Sequence, residues 1–306
     1  MYTLRRAGES DDAALLELYS QSFGKSFSPT WWEWYRHNPV GPNRTYVVEG
    51  RDGLAAAYSV LPLWLKLGQE TIKASLANNA CTSPAYQGKG LFVRLGEYAL
   101  EDDGKAGAVV SLGMPNLKAL PGHLKVGWQV ECSLPVLVLH HPQAQPNECS
   151  PVDRFEAEVD TLLRETQHAS TFAVLKSHLW LNWRLVDHPE RFYHRFVLRQ
   201  KQRLVGLVVV KHFDRAGVRM SHIVDLQVVD EAALEQLLRA AMSCADGRDE
   251  LNLWTNDKDP YRASIMSLGF EERASDDRLI IHSNRGSAVK VSEGPLCFSL
   301  SDNDVY

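Results

Sequence analysis

The sequence lacks the features that mark several protein classes. Its five cysteines, at positions 81, 132, 149, 244 and 297, are scattered and include no CxxC pair, so their spacing supports neither a disulfide framework nor a zinc ribbon. His188, His194 and His212 share no metal-ligand spacing either, and no metal site is expected. No apolar run approaches the ~18 residues that span a bilayer. The opening residues reach acidic side chains at once, without the apolar segment of a secretion signal. The expectations are therefore no membrane partner and a cytoplasmic location. A basic excess is missing too: 33 Lys and Arg face 38 Asp and Glu, a formal charge of -5, whereas a nucleic-acid binder needs a basic footprint to displace counterions. What is present is ordinary core material, 44% hydrophobic and 23% charged residues, in a chain of 306 residues that suits two domains.

The two halves echo each other. Trp34, Gly53, Ser75 and Gly127 recur as Trp183, Gly206, His222 and Gly269, at offsets of 149, 153, 147 and 142 residues. Four landmarks in one order, each displaced by about half the chain, imply a duplication. The expected division is a first unit over 1–139, a linker over 140–151, where three prolines and polar residues replace apolar patterning, and a second unit over 152–306. In the first unit the periodicity predicts a helix over 11–23, strands over 45–49 and 54–61 around the turn Arg51-Asp52-Gly53, and a strand over 75–82. A glycine-rich turn at 87–90, a helix over 91–103, a strand over 107–113, a short helix over 117–125 and a strand over 128–139 follow. The fold class is α/β, with a mixed, mostly antiparallel sheet flanked by helices in each unit.

The most informative segment is Gln87-Gly88-Lys89-Gly90-Leu91-Phe92, set between a strand and an amphipathic helix. Backbone NH groups at such a turn, opening the positive end of a helix, cradle phosphate. Gly88 and Gly90 let the chain approach an anion closely, and Lys89 adds charge. Two familiar phosphate loops are excluded: there is no GxxxxGK(S/T), and no GxGxxG with an acidic ribose ligand about twenty residues on.

With these residues the chain resembles the GNAT acyltransferase superfamily, whose pyrophosphate signature is Q/R-x-x-G-x-G/A. Gln87 and Gly90 match its first and fourth positions, and Phe92 stands at the sixth. Gly113-Met114-Pro115-Asn116 and Val126-Gly127-Trp128 agree with further landmarks of that family. The resemblance implies that acetyl-CoA or another short acyl-CoA binds through residues 87–92, with Asn79, Ala80, Cys81 and Thr82 along the pantetheine and Asn116 holding its arm. It implies transfer of an acyl group to a primary amine of a small polar acceptor. The tandem arrangement is similar to N-acyltransferases of nucleotide-linked amino sugars and to the mycobacterial enhanced-intracellular-survival acetyltransferase. A nucleotide-linked amino sugar is therefore the first expected acceptor, and aminoglycosides, polyamines or protein amines are the alternatives. A non-catalytic acyl-CoA-binding or regulatory protein is the rival class. In the second unit the matching stretch, Val228 to Leu234, has no glycine and carries Asp230 and Glu231; like charges there would repel a pyrophosphate, which marks a degenerate copy expected to shape the acceptor cleft.

Acyl transfer to an amine needs a group to take the amine proton and an acid for the departing thiol. Many relatives use a tyrosine on the helix after the fifth strand. Here residues 116–126 offer His123 and no tyrosine. His123, Glu33 and His37 are the candidate catalytic residues. Cys81, in mid-strand without a paired histidine, is expected to be a buried structural thiol. The tryptophans at 31, 32, 34, 180 and 183 recur at equivalent places, as packing residues do.

Overall fold

The computed structural model describes residues 2–168, 170–284 and 294–303. In chain order the first elements are β1 (Thr3–Arg6), α1 (Asp12–Phe23), α2 (Pro29–Arg36), β2 (Arg44–Glu49), β3 (Leu54–Leu67), β4 (Glu70–Thr82), α3 (Leu91–Lys105), β5 (Val110–Gly113), α4 (Leu120–Val126) and β6 (Gln129–Ser133). There follow β7 (Val136–His140), β8 (Ser150–Pro151), α5 (Val159–His168), β9 (Phe172–Leu175), α6 (His178–Leu185), β10 (His194–Gln200), β11 (Arg203–Arg215) and β12 (Val218–Val228). The last are α7 (Glu231–Cys244), β13 (Glu250–Trp254), α8 (Arg262–Ser267), β14 (Glu271–Arg273), β15 (Arg278–Ser283) and β16 (Leu296–Cys297). Among the described residues no helix is long and apolar enough to cross a membrane.

The chain folds into two compact units. The sheet of the first follows the order β1-β2-β3-β4-β5-β15-β6. Its pairs are antiparallel at β1–β2, β2–β3 and β5–β15, with β4 and β5 parallel. Helix α3 places Leu91, Leu95 and Ala99, spaced one turn apart, on Tyr46, Val48, Ala55, Ala56 and Tyr58 of the sheet. The sheet of the second follows β14-β7-β13-β12-β11-β10-β8, antiparallel except for β12 with β13. There α7 buries Leu234, Leu237, Leu238 and Ala241 against Val208, Val210 and Ile223.

The duplication is visible element by element: α2 to β6 repeat as α6 to β14 in one order of helices and strands. Even a capping detail recurs. The Ser28 hydroxyl accepts from the Trp31 backbone NH at 3.0 Å, and the Ser177 hydroxyl from that of Trp180 at 3.2 Å, each satisfying one orphan donor of a helix start.

The boundaries differ from the contiguous division 1–139, 140–151 and 152–306. The first compact unit takes in residues 277–284, and the second begins at Ser133 and also claims 66–70. The strand expected over 128–139 is two strands, interrupted at Leu134-Pro135, because proline supplies no ladder donor. β6 stays in the first sheet, while β7 pairs with β13 and β14 in the second. The stretch 140–151 therefore lies within the second unit, bounded by two of its strands. In return β15 joins the first sheet, where Gly113 leaves room for Ile280: a Cβ there would stand 3.1 Å from the Ile280 side chain.

Candidate functional site

The parallel pairing of β4 with β5 is short. Ala74, Ser75 and Leu76 face Val110, Ser111 and Leu112, and the pairing ends there. Residues 78–82 of β4 thus run free of β5 while the other edge of β4 stays on β3. Asn79 marks the departure with a left-handed φ of 45°, a bulge-like conformation that asparagine tolerates better than most side chains. Asn78 Oδ1 accepts from the Tyr35 hydroxyl at 2.7 Å. The side-chain amide nitrogens of Asn78 and Asn79 and the Thr82 hydroxyl are buried with no protein partner. Unsatisfied buried donors are costly unless a ligand meets them, so this strand has the chemistry to hold an amide-bearing chain such as pantetheine. Ala80 sits among them partly buried. The Cys81 thiol is buried, and burial pushes it up to about 11, which leaves it protonated and unreactive at neutral pH.

Beyond Thr82 a single 3-10 turn, Pro84–Tyr86, leads into the glycine loop. Gln87, Gly88, Lys89 and Gly90 are all exposed. Gly88 and Gly90 adopt φ of 74° and 69°, and Gly90 caps the start of α3. A Cβ at either glycine would meet no protein atom: the space above the loop is open. The first helical bond back to the loop is from Arg94 NH to the Gly90 carbonyl, so the NH groups of Leu91, Phe92 and Val93 precede the helical ladder. The loop is braced from below. Gln87 donates to the Thr82 carbonyl at 3.2 Å, Lys89 donates to the Ala85 carbonyl at 3.1 Å and lies over the Tyr86 ring, and the Tyr86 hydroxyl accepts from Arg51 NH at 2.8 Å. No acidic side chain stands in the first turn of α3. Open NH groups at a positive helix end suit a pyrophosphate.

Phe92, where the family signature has a small residue, does not enter the loop. Its ring points to the core against Tyr58 and His123, and Gly122 gives it room, since a Cβ there would stand 2.7 Å from the ring. Leu91 is buried in the same core. Asn116 is exposed, and its Oδ1 accepts from the NH groups of Lys118 and Ala119, each at 3.0 Å, so it shapes the turn before α4.

The three candidate catalytic residues are not brought together. Glu33 on α2 and His37, which caps the end of that helix, lie one turn apart, each with its side chain 69% exposed and 3.5 Å from the other. The His37 Nδ1–H donates to the Glu33 carbonyl at 2.7 Å, which leaves Nε2 as the free ring nitrogen. His123 is 5% exposed, ringed by Phe92, Trp128 and Tyr58, with the Tyr58 hydroxyl 3.4 Å from Nδ1. Burial alone pushes its imidazole down to about 4, so at neutral pH it has no proton to give beyond its single N–H. Among the described residues no hydrogen bond or ion pair joins Glu33 or His37 to His123.

Three contributors escaped the sequence. Tyr35 holds Asn78, Tyr86 ties the loop to the hairpin before β3, and Gly122 accommodates Phe92. Tyr35 sits in the aromatic run with Trp31 and Trp32, whose rings stack on it, and that run signalled packing rather than a polar anchor.

The second unit shows the matching splay without the matching seat. β12 pairs with β13 only at Met220, Ser221 and His222. Next to the parted strands is a cavity of about 420 Å³, lined mainly by apolar side chains that include Ile223, Val228, Trp254 and Leu300. At the start of α7 the Asp230 carboxylate accepts from Ala233 NH at 2.8 Å, so the helix end is capped by the chain's own anion, with Glu231 beside it.

Residues 3–130 match the family described as acetyltransferase (GNAT) domain. No curated protein matches the chain. In structure it is similar to a GCN5-related N-acetyltransferase from Anabaena variabilis, at TM-score 0.74 and 14% identity, covering 93% of this chain and 73% of that one. A probable N-acyltransferase from Enterococcus faecalis gives TM-score 0.74 at 13% identity, covering 92% and 73%. Saccharomyces cerevisiae N-myristoyltransferase with bound myristoyl-CoA gives TM-score 0.67 at 9% identity, covering 92% and 82%. The chain has the GNAT fold in a tandem arrangement.

Proposed function

We propose that the protein is a CoA-dependent N-acyltransferase whose first unit alone binds acyl-CoA. The observation that carries this is the continuity of two features. A strand with unsatisfied buried donors at Asn79 and Thr82 leads directly into an exposed loop of left-handed glycines at an acid-free helix start. In this reading the main chain and amides of residues 79–82 hold pantetheine, residues 87–92 hold pyrophosphate, and Asn116 fixes the turn beside the arm. Acyl-CoA supplies the activated thioester. The chain's own part is to orient it, exclude water and relieve the attacking amine of its proton. For that proton His37 is the stronger candidate, because Nε2 is exposed and Glu33 fixes the tautomer through its carbonyl. His123, enclosed and neutral, is better suited to shaping the core under Phe92.

The acceptor we propose is a primary amine of a small polar molecule, with nucleotide-linked amino sugars first and aminoglycosides, polyamines and protein amines after. Release of free thiol from acetyl-, short-chain and myristoyl-CoA, measured with each acceptor in turn, tests the activity. The relative with bound myristoyl-CoA is the reason to include the long chain. Acceptor-dependent thiol release supports the proposal, and tight acyl-CoA binding with no release for any amine points to an acyl-CoA sensor. The enclosure of His123, which withholds one of the three candidate proton carriers, is the observation that favours that second reading.

A further inference from the structure

Far apart in sequence, His194, His212 and Cys244 come together in the second unit. His194 opens β10 and pairs with Val210 of β11. His212, two residues further along β11, therefore stands on the same face as Val210. Cys244 ends α7, the helix packed on that face. One ligand atom from each residue lies within 4.8 Å of the other two. Cys244 Sγ is 3.7 Å from His212 Nε2, and the two imidazole rings are 4.6 Å apart. All three side chains are partly exposed, so solvent reaches the cluster.

From this geometry we infer that His194, His212 and Cys244 form a zinc-binding site, with water in the fourth position. Two imidazoles and a thiolate are a donor set that suits Zn²⁺ in tetrahedral coordination and disfavours hard cations. The ring of His212 is already set for it. Its Nδ1 is 2.8 Å from the Oγ of Ser221, a fully buried hydroxyl. Donation of Nδ1–H to that oxygen leaves the Nε2 lone pair facing Cys244, the outer-shell arrangement that orients metal-bound histidines. Burial holds both imidazoles below the usual histidine range, His212 at about 4, so both are neutral ligands at physiological pH. The Cys244 thiol, pushed up to about 11 by burial, releases its proton as the Zn–S bond forms. Binding thus frees one proton per ion and leaves a site charge of +1. The nearby Arg248 guanidinium is engaged elsewhere, by Asp214 and by the Met220 and Phe213 carbonyls. Sequence spacing missed the site because its ligands come from two strands and a helix.

Co²⁺ is the probe that reads the ligands directly. The full chain, freed of metal with a chelator, is titrated with Co²⁺ and then with Zn²⁺, in the native form and as C244S, H212A and, as a control, C149S. We expect one equivalent of Co²⁺, with intense visible bands of a four-coordinate ion and a near-ultraviolet sulfur-to-cobalt charge-transfer band. Co²⁺ binding to the metal-free chain should release one proton, and Zn²⁺ should then displace Co²⁺ with no further release. C244S should lose the charge-transfer band, H212A should bind at least tenfold more weakly, and C149S should behave as native. Circular dichroism confirms that each variant is folded. Absence of the charge-transfer band in the native protein, or its survival in C244S, overturns the site.

Discussion

The Tyr35 hydroxyl donates to Asn78 Oδ1 over 2.7 Å, and both residues are buried. One is on helix α2, the other at the point where β4 leaves β5. The bond thus fixes the orientation of an amide at the head of the proposed pantetheine strand. Tyr35→Phe removes the donor and leaves a buried acceptor unpaired, at a cost of about 1–3 kcal/mol. Urea unfolding should show that loss, and calorimetry should show acetyl-CoA binding weakened several-fold. Unchanged values of both would mean that the bond does not position the strand.

Phe92 and Gly122 form a second matched pair. Gly122→Ala forces a methyl group against the Phe92 ring, 2.7 Å away, and overpacking of this kind costs roughly 1–3 kcal/mol. Adding Phe92→Leu to the same chain should recover part of the loss. A double-mutant cycle with no coupling would show that the two sites relax independently.

The proton step has its own test. If His37 Nε2 takes the amine proton, His37→Ala lowers turnover by roughly 10²–10⁴-fold with little change in acetyl-CoA affinity. Glu33→Ala should cost less, since the fixing contact at 2.7 Å is to the Glu33 backbone carbonyl. Full activity in His37→Ala assigns the proton to water or to the acceptor itself.

His123 makes a prediction about pH. Burial holds its imidazole at about 4 in the fold against an ordinary histidine value of 6.5, so between these limits the unfolded chain binds the proton and the folded chain does not. Its contribution is complete above pH ~6.5 and is lost as the pH falls toward ~4, on the order of 3 kcal/mol over that window. Denaturant midpoints should fall across it in the native protein and fall less steeply in His123→Phe. Parallel curves would show that the imidazole titrates normally in the fold.

Much of the fold was legible because local signals and tertiary demands agree. The glycine loop is named by Gly88 and Gly90, whose left-handed φ values only glycine adopts freely. Helix α3 is named by Leu91, Leu95 and Ala99 at one-turn spacing. What the sequence hid is pairing over distance. β7 and β15 are short apolar strands with nothing local to say which sheet edge they join, and their exchange between sheets follows from Pro135 and from the space at Gly113. At the site, the loop and strand were readable from spacing, and the contact of Glu33 with His37 is local, one helical turn apart, while the burial of His123 depends on neighbours brought from elsewhere.

The central claim is that the glycine loop of the first unit is the seat of the acyl-CoA pyrophosphate and that the second unit has none. Calorimetric titration of acetyl-CoA into the native chain and into Gly90→Asp tests it most directly. Aspartate is among the side chains that tolerate a left-handed φ, and a Cβ at Gly90 meets no protein atom, so the variant should fold while placing a carboxylate in the seat. The account predicts one equivalent per chain, weakened more than tenfold in the variant, or over ~1.4 kcal/mol. Two equivalents per chain, or an affinity that Gly90→Asp leaves unchanged, would contradict it.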